Sequence, residues 1–288
     1  MSIMRVIRAR TLGFCAGVRR TVDLALEAAK KYETRLFTVG PLIHNERTLR
    51  ELAELGFSVL DEDKLPESLV HSTTVIRAHG IGPQTRQYLL QRGTKIIDAT
   101  CPKVRKSQLK ALELSKKGFA VFIAGEKNHG EVRGIRMFAR NSLVVEDEGE
   151  AFDAAKELFS KNKDAKTAVI GQTTISGAEY RAVCAAIKRF FPDLAVHDTI
   201  CGATVARQKA LAALCAEVDA LVIAGDPASS NTRRLLATAS THTKPGWIVR
   251  DASALPPELG SFGTIGLSAG TSTPDALIGE VERAISLL

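Results

Sequence analysis

Three cysteines occupy the same kind of position in this chain, and this repetition constrains the fold more than any other feature. Cys15, Cys101 and Cys201 each follow a short apolar run, and each precedes a stretch in which apolar residues recur at helical spacing. Apolar or β-branched runs alternate with amphipathic stretches through the rest of the 288 residues, which is typical of βα units and a largely parallel sheet. The pattern predicts an α/β fold of three units, each directing one thiolate toward a common place.

Composition excludes several classes of protein. Hydrophobic residues make up 45% and charged residues 25%, as in ordinary globular chains, so disorder is not expected. No apolar run approaches the roughly 18 residues that span a bilayer, and residues 1–10 are too basic and short for a signal peptide, which predicts a cytoplasmic location. The net charge of +7 favours anionic ligands or, equally, a solvated basic surface. Aromatic residues, at 5%, offer little for base stacking, so nucleic acid is not an expected partner.

The five cysteines divide into two kinds. Cys184 and Cys215 have apolar residues on their own helical face, which predicts small buried hydrophobes. The other three lie in turns rich in Gly, Ala, Thr and Pro, and none has the local spacing of a zinc ribbon or a ferredoxin-type cluster. A cytosolic disulfide is disfavoured and would leave one of the three thiols unpaired. Three converging thiolates suit a cubane iron–sulfur cluster in which one iron stays open to a substrate.

Polar side chains follow the predicted strands, at the sheet edge where open α/β proteins bind ligands. They are His44, His79, His129, Ser229, Ser230, Asn231 and Ser272. Loops that enter helices present backbone N–H groups to anions. Singly, a histidine could be a satisfied loop residue and Ser230 or Ser272 a helix cap. Together they favour a pocket for a phosphate-bearing ligand, because each buried unsatisfied polar group costs about 1–3 kcal/mol.

Glu131 is a carboxylate in a loop otherwise suited to anions. Beside a bound polyanion a carboxyl group is favoured in its protonated form, and it can then deliver a proton to a leaving hydroxyl. Thr173 could orient the same hydroxyl or cap the next helix. The alternative for Glu131 is a solvated loop charge paired with Arg133 or Lys127.

Nine short motifs carry a family resemblance. They are Gly13-Phe-Cys-Ala-Gly-Val18, His44-Asn45, Ala78-His-Gly80, Asp98-Ala-Thr-Cys-Pro-Lys-Val104, His129-Gly-Glu-Val132, Gln172-Thr-Thr174, Ile200-Cys201, Ser229-Ser-Asn231 and Ala269-Gly-Thr-Ser-Thr-Pro274. In order and across nearly the whole chain, these motifs resemble the IspH/LytB family of 4-hydroxy-3-methylbut-2-enyl diphosphate reductases. The resemblance implies a trefoil of three units with pseudo-threefold arrangement around a central 4Fe-4S cluster. The units are predicted at residues 12–99, 100–199 and 200–288, with 1–11 joining the third.

The resemblance also implies a reaction and roles for residues. The reaction is two-electron reductive removal of the allylic hydroxyl, giving isopentenyl and dimethylallyl diphosphates, the last step of the non-mevalonate isoprenoid pathway. The implied cluster ligands are Cys15, Cys101 and Cys201, and the implied diphosphate ligands are His44, His79, Ser229, Asn231 and Ser272, with Ser230 beside them. His129, Glu131 and Thr173 would surround the substrate hydroxyl, with Glu131 supplying protons. Because the chain has no GxGxxG nucleotide motif, an external donor such as ferredoxin or flavodoxin is expected.

Several positions depart from the family pattern. Gly130 stands where a proline is usual, Arg133 where an acidic residue is common, and Gly202 and Ala206 where a bulky residue and an asparagine are expected. These departures motivate an alternative, a related cluster enzyme that hydrates or dehydrates another substrate at the open iron. A further alternative is a non-enzymatic cluster sensor or nucleic-acid binder.

Overall fold

The computed structural model describes residues 4–288, and these residues form three parallel sheets of four strands each. In chain order the elements are β1 Arg5–Arg8, α1 Ala16–Lys31, β2 Arg35–Val39, α2 Glu46–Glu54, β3 Phe57–Leu60, β4 Ser72–Ile76, α3 Pro83–Gln91, β5 Lys95–Asp98, α4 Pro102–Lys116, β6 Ala120–Ala124, α5 Gly130–Arg136, β7 Ser142–Val145, α6 Glu148–Lys161, β8 Thr167–Gly171, α7 Gly177–Lys188, β9 Ala195–His197, α8 Gly202–Cys215, β10 Ala220–Ala224, α9 Ser230–Thr241, β11 Gly246–Val249, β12 Thr264–Ala269 and α10 Asp275–Ser286. Short 3-10 helices at Ala252–Ala254 and Pro257–Ser261 lie between β11 and β12. The predicted α/β class is confirmed.

The three sheets share one strand order. The orders are β3-β2-β4-β5, β7-β6-β8-β9 and β11-β10-β12-β1, with every neighbouring pair parallel. The N-terminal strand β1 takes the fourth place in the last of these sheets, where Val6 pairs with Ile265 of β12. In the sheets β3-β2-β4-β5 and β7-β6-β8-β9 the chain leaves the second and third strands in opposite directions, and the crevice at the carboxyl ends of two such strands is the usual ligand site.

The described chain divides into two compact units. The first comprises the chain up to Arg19, Ile43–Glu51 and Gly202–Leu288, and it holds the sheet β11-β10-β12-β1. The second comprises Arg20–Leu42 and Leu52–Cys201, and it holds the other two sheets. The boundaries at residues 12, 100 and 200 stay a prediction.

In the first unit both faces of the sheet are covered by helices. Side chains alternate along a strand, so Val222 and Ala224 of β10 pack with α10, whereas Leu221 and Ile223 pack with α8 and α9. This double burial explains why β10 is a continuous apolar run, as is typical of parallel sheets.

The second unit repeats this arrangement in the sheet β7-β6-β8-β9. Phe122 and Ala124 of β6 pack against α6 and α7, and Val121 and Ile123 pack with residues of α4 and α5. In its other sheet Val39 and Ile76 form a smaller core with Leu89 of α3.

Sequence reasoning missed three elements. Strands β3 and β11 have only four residues each, and β11 begins with a glycine that follows a proline, so their short apolar runs are weak strand signals. Helix α5 begins with Gly130 and contains Gly134, and glycine has low helix propensity. Glu131, expected in a loop, therefore lies on a helix.

The two cysteines predicted to be core residues are buried in α7 and α8. Burial raises the pKa of both the Cys184 and the Cys215 thiol, which favours the neutral, unreactive form. None of the helices described between residues 4 and 288 has the length and apolar character that spanning a lipid bilayer requires.

The double burial of β6 predicts a large effect of truncating its central aromatic side chain. Phe122→Ala is expected to lower the free energy of unfolding by about 3–5 kcal/mol, because it leaves a cavity between the sheet and its helices. Val196→Ala, on the exposed face of the edge strand β9, is the control and should change this free energy by less than about 0.5 kcal/mol. Urea unfolding followed by circular dichroism measures both, and equal effects would contradict this description of the core.

Candidate active site

The three cysteines of interest are held by the same backbone hydrogen bond. In each case the cysteine N–H donates to the carbonyl oxygen of the second residue after the third strand of a sheet. The pairs are Cys15 with Thr271 at 3.2 Å, Cys101 with Ala78 at 2.9 Å and Cys201 with Thr173 at 2.8 Å. Each cysteine therefore lies at the carboxyl edge of a sheet.

Each of these cysteines also directly precedes a helix, namely α1, α4 or α8, and each is half-buried. All five cysteines lie within residues 4–288, and none forms a disulfide. The Cys15 Sγ accepts a hydrogen bond from the N–H of Val18 at 3.4 Å. A helix start favours negatively charged ligands.

Glu131 is the most deeply buried carboxyl group of the candidate site, with 1% of its surface exposed. Its Oε1 accepts the N–H of Thr173 at 2.6 Å, and its Oε2 accepts the Thr173 hydroxyl at 2.7 Å. The carbonyl of the same threonine accepts the N–H of Cys201. One residue, Thr173, thus bonds both the candidate proton donor and a candidate cluster ligand.

The alternative roles for these two residues are wrong. Arg133 pairs with Asp63 at 2.8 Å and Lys127 with Glu150 at 2.5 Å, so Glu131 is not a solvated partner of either. Nor does Thr173 cap the following helix. The cap of α7 is Ser176, which forms a reciprocal capping box with Glu179.

Two histidines of the second unit contact one another, and one of them also bonds the backbone of Glu131. His129 caps α5, and its Nδ1 accepts the N–H of Glu131 at 3.2 Å. A neutral ring that accepts at Nδ1 carries its proton on Nε2. The ring of His79 meets that of His129 edge-on, with 4.8 Å between the centroids. His79 follows Ala78, the residue that anchors Cys101.

The first unit presents Ser229, Ser230 and Asn231 at the start of α9. Ser229 is the cap and accepts the N–H of Thr232 at 3.5 Å, so the expectation that Ser230 could be the cap is wrong. Ser230 instead accepts a hydrogen bond from Arg234 at 2.7 Å. Asn231 is 2% exposed, and neither its Nδ2 nor its Oδ1 has a hydrogen-bond partner among residues 4–288. Such a buried amide is costly unless a ligand or water satisfies it.

His44 and Ser272 complete the residues of the first unit. His44 directly precedes Asn45, whose side chain accepts the N–H of Thr48 at the start of α2. Ser272 is half-buried and follows Thr271, the anchor of Cys15. It does not cap a helix, because α10 is preceded by Pro274.

The structure therefore assembles two sets of predicted residues. The second unit brings together Cys101, Cys201, His79, His129, Glu131 and Thr173, and the first unit contains Cys15, His44, Ser229, Ser230, Asn231 and Ser272.

Sequence reasoning gave no role to two buried arginines. Arg207 of α8 donates to the carbonyl of Gly13 at 2.6 Å and so supports the loop that leads to Cys15. Arg77 directly follows β4 and pairs with Glu62 at 2.6 Å. The position of Arg77 in the sequence, between an apolar strand and His79, could have indicated a role near the site.

The departures from the family pattern leave the site residues in place. Gly130 is the first residue of α5, and a Cβ added to it would lie 3.3 Å from Nδ1 of His79. Gly202 opens α8 and is exposed, with no described atom within 4 Å of where its Cβ would be. Ala206, one turn later, is exposed as well.

Comparison with known proteins agrees with this geometry. A family model described as LytB protein matches residues 6–286. The 4-hydroxy-3-methylbut-2-enyl diphosphate reductase of Treponema denticola is 42% identical over 287 residues, covering 98% of this chain and 99% of the relative. The reductase of the same name from Aquifex aeolicus is 34% identical, and the match covers 97% of this chain and 95% of the relative.

Solved structures are similar along the whole chain. The E-1-hydroxy-2-methyl-but-2-enyl-4-diphosphate reductase from Plasmodium falciparum superposes with a TM-score of 0.89 at 26% identity, covering 99% of this chain and 88% of that one. An (E)-4-hydroxy-3-methyl-but-2-enyl diphosphate reductase, the terminal enzyme of the non-mevalonate pathway, superposes with a TM-score of 0.71 at 33% identity. This match covers 99% of this chain and 100% of that one. This chain belongs to the LytB family.

Proposed function

We propose that this chain reduces (E)-4-hydroxy-3-methylbut-2-enyl diphosphate to isopentenyl and dimethylallyl diphosphates. The observation that carries the proposal is the hydrogen-bonded line from buried Glu131 through Thr173 to Cys201, which joins an acid to a metal-ligand candidate. Its relatives are named for this reduction. We place the reaction in the cytoplasm, with electrons supplied by an external donor such as ferredoxin or flavodoxin.

Membership of the LytB family implies an iron–sulfur cluster. We propose that it is a 4Fe-4S cluster held by Cys15, Cys101 and Cys201. The donor set fits, because these three thiols lie at helix starts with equivalent backbone anchors, whereas Cys184 and Cys215 are core residues. Three ligands leave one iron without a protein ligand. When bound, the cluster would supply electrons and a Lewis-acidic iron for the substrate hydroxyl.

The diphosphate would be held by His44, His79, Ser229, Asn231 and Ser272, with Ser230 beside them. The start of α9 offers backbone N–H groups and the positive end of a helix to an anion. The buried amide of Asn231 supports this role, because a phosphate oxygen or its hydration water would satisfy atoms that have no partner among the described residues.

Glu131 would deliver a proton to the leaving hydroxyl. Overall, two electrons and two protons enter, the carbon–oxygen bond breaks, and water leaves. The two donors from Thr173 fix the orientation of the Glu131 carboxyl group, and a bound diphosphate would favour its protonated form. His129 and Thr173 would line the same space around the hydroxyl.

A turnover assay on anaerobically purified protein tests the reaction. We expect the hydroxymethylbutenyl diphosphate to be consumed with reduced donor and converted to both products. Mössbauer spectra with and without this substrate should show one distinct iron signal that shifts on binding. Conversion to a hydrated or dehydrated product without electrons would instead favour the alternative enzyme on another substrate, and an absence of iron after reconstitution would exclude both.

Glu131→Gln tests the proton donor. We expect turnover to fall by about 10²–10⁴-fold, the usual contribution of a general acid, while iron content and substrate binding stay near wild type. Glu150→Gln, a surface residue paired with Lys127, is the matched control and should retain turnover. Near-normal turnover in Glu131→Gln would remove this residue from the mechanism.

Serine substitutions test the partition of the cysteines. Cys101→Ser should lose most of its iron and sulfide and the visible absorbance of a cluster, because one of three ligands is gone. Cys184→Ser should keep them, since this thiol lies in a hydrophobic core. Iron analysis and absorbance spectra measure the difference, and the opposite pattern would overturn the assignment.

A further inference from the structure

A buried ion pair, Arg77 with Glu62, lies close to the backbone that carries His79 and His129. Nη2 of Arg77 donates to Oε2 of Glu62 at 2.6 Å, and the two side chains are only 9% and 7% exposed. Oε1 of Glu62 accepts the hydroxyl of Thr85 at 3.2 Å. Both carboxylate oxygens are therefore engaged, which a buried carboxylate requires if it is not to be strongly destabilising.

The guanidinium of Arg77 lies close to the backbone at three glycines, Gly40, Gly80 and Gly130. Its Nε donates to the carbonyl of Gly80 at 3.4 Å. A Cβ added to Gly40 would overlap Nη1, and one added to Gly130 would lie 3.5 Å from Cζ. Gly40 also has a φ of +66°, so both its conformation and this contact exclude a side chain. The arginine thus fills the space between the loops after β2 and β4 and the start of α5.

Two of these glycines adjoin histidines assigned to the substrate. Gly80 follows His79 and Gly130 follows His129 in sequence. The position of a Cβ on Gly130 is also 3.3 Å from Nδ1 of His79, and the two imidazole rings are in edge contact. Any displacement of the guanidinium is therefore transmitted to the backbone that carries both rings.

Charges around Arg77 are balanced within the same region. Burial lowers the pKa of Arg77, the attraction of Glu62 and Asp63 opposes this, and Arg133 adds to the lowering. Asp63 and Arg133 form a second pair at 2.8 Å, but their side chains are 67% and 41% exposed. The two adjacent acids, Glu62 and Asp63, therefore make one buried and one exposed pair.

We propose that the Glu62–Arg77 pair is a positioning element of the substrate site. It fixes His79 in the orientation that binds the diphosphate group, and it fixes His129, whose ring contacts that of His79, beside the substrate hydroxyl. The inference rests on the proposed function. Arginine is required, because its planar guanidinium pairs with Glu62 and at the same time fills the space beside Gly40, Gly80 and Gly130, whereas lysine offers only a point charge on a flexible stem.

The test compares wild type with Arg77→Lys, Glu62→Gln and the control Asp63→Asn in the cluster-loaded protein. Calorimetry measures the dissociation constant of inorganic diphosphate, steady-state kinetics gives KM and kcat, and thermal unfolding and iron content report the folded fraction. Arg77→Lys and Glu62→Gln are expected to raise the dissociation constant and KM by about 10- to 100-fold, since small misplacements of binding groups have effects of this size. The effect on kcat should be smaller. Asp63→Asn removes the same charge from the neighbouring residue and should change these values by less than about 2-fold, as exposed pairs contribute little.

A purely structural pair would give a different result. Arg77→Lys and Glu62→Gln would then lower the unfolding temperature but leave the dissociation constant and KM of the folded protein unchanged, which would overturn the proposal. If Arg77→Lys does not fold, Glu62→Gln and Thr85→Val, which removes only the hydroxyl donor to Glu62, decide the question by the same dissociation constant. Failure of wild type to reduce the substrate would overturn the proposed function instead, and the diphosphate measurement still tests this pair.

Discussion

The backbone hydrogen bond from each cysteine to the loop beyond a neighbouring strand is the interaction on which the site depends. The carboxyl ends of parallel strands lie at the same edge of a sheet. A backbone carbonyl in the loop after the third strand can therefore accept a hydrogen bond from the cysteine that follows the fourth strand. The position of Cys15, Cys101 or Cys201 is thereby fixed by strand pairing in its sheet and by the start of the helix that follows.

The anchoring loops carry the residues assigned to substrate as well. Thr173 holds Cys201 with its carbonyl and Glu131 with its N–H and hydroxyl, Ala78 adjoins His79, and Thr271 adjoins Ser272. A short loop thus positions a proposed cluster ligand together with a proposed substrate residue. Any change in sheet register would displace both, so the two kinds of site residue are coupled through the backbone. The proposed role of the ion pair of Arg77 and Glu62 is similar, because its guanidinium lies against the backbone of Gly80 and Gly130, the residues that follow His79 and His129.

Sequence patterns were sufficient for features that depend on local periodicity. The alternation of strands and helices and the separation of Cys184 and Cys215 from the other cysteines follow from apolar spacing alone. Features that depend on tertiary contacts could not be predicted from the sequence. Glu131 of α5 bonds to Thr173, which lies in the loop after β8, and Arg77, which follows β4, pairs with Glu62, which lies in the loop after β3. Helix α5 was missed because packing of Val132 and Ile135 outweighs the low propensity of its two glycines. Ser229 and Ser230 are equally good caps in sequence, and only the geometry of α9 distinguishes them.

The place of β1 in its sheet also constrains the order in which the molecule can be completed. This strand is synthesised first, yet its partner β12 follows every strand of the other two sheets along the chain. The nascent chain therefore exposes β1 without its neighbour while the second unit is being made, and closing so long a loop is slow. Cys15 gains its anchor at Thr271 only after β12 has formed. The proposed set of three cysteine ligands is thus complete only late in biosynthesis, so insertion of the proposed cluster would follow translation of the last sheet.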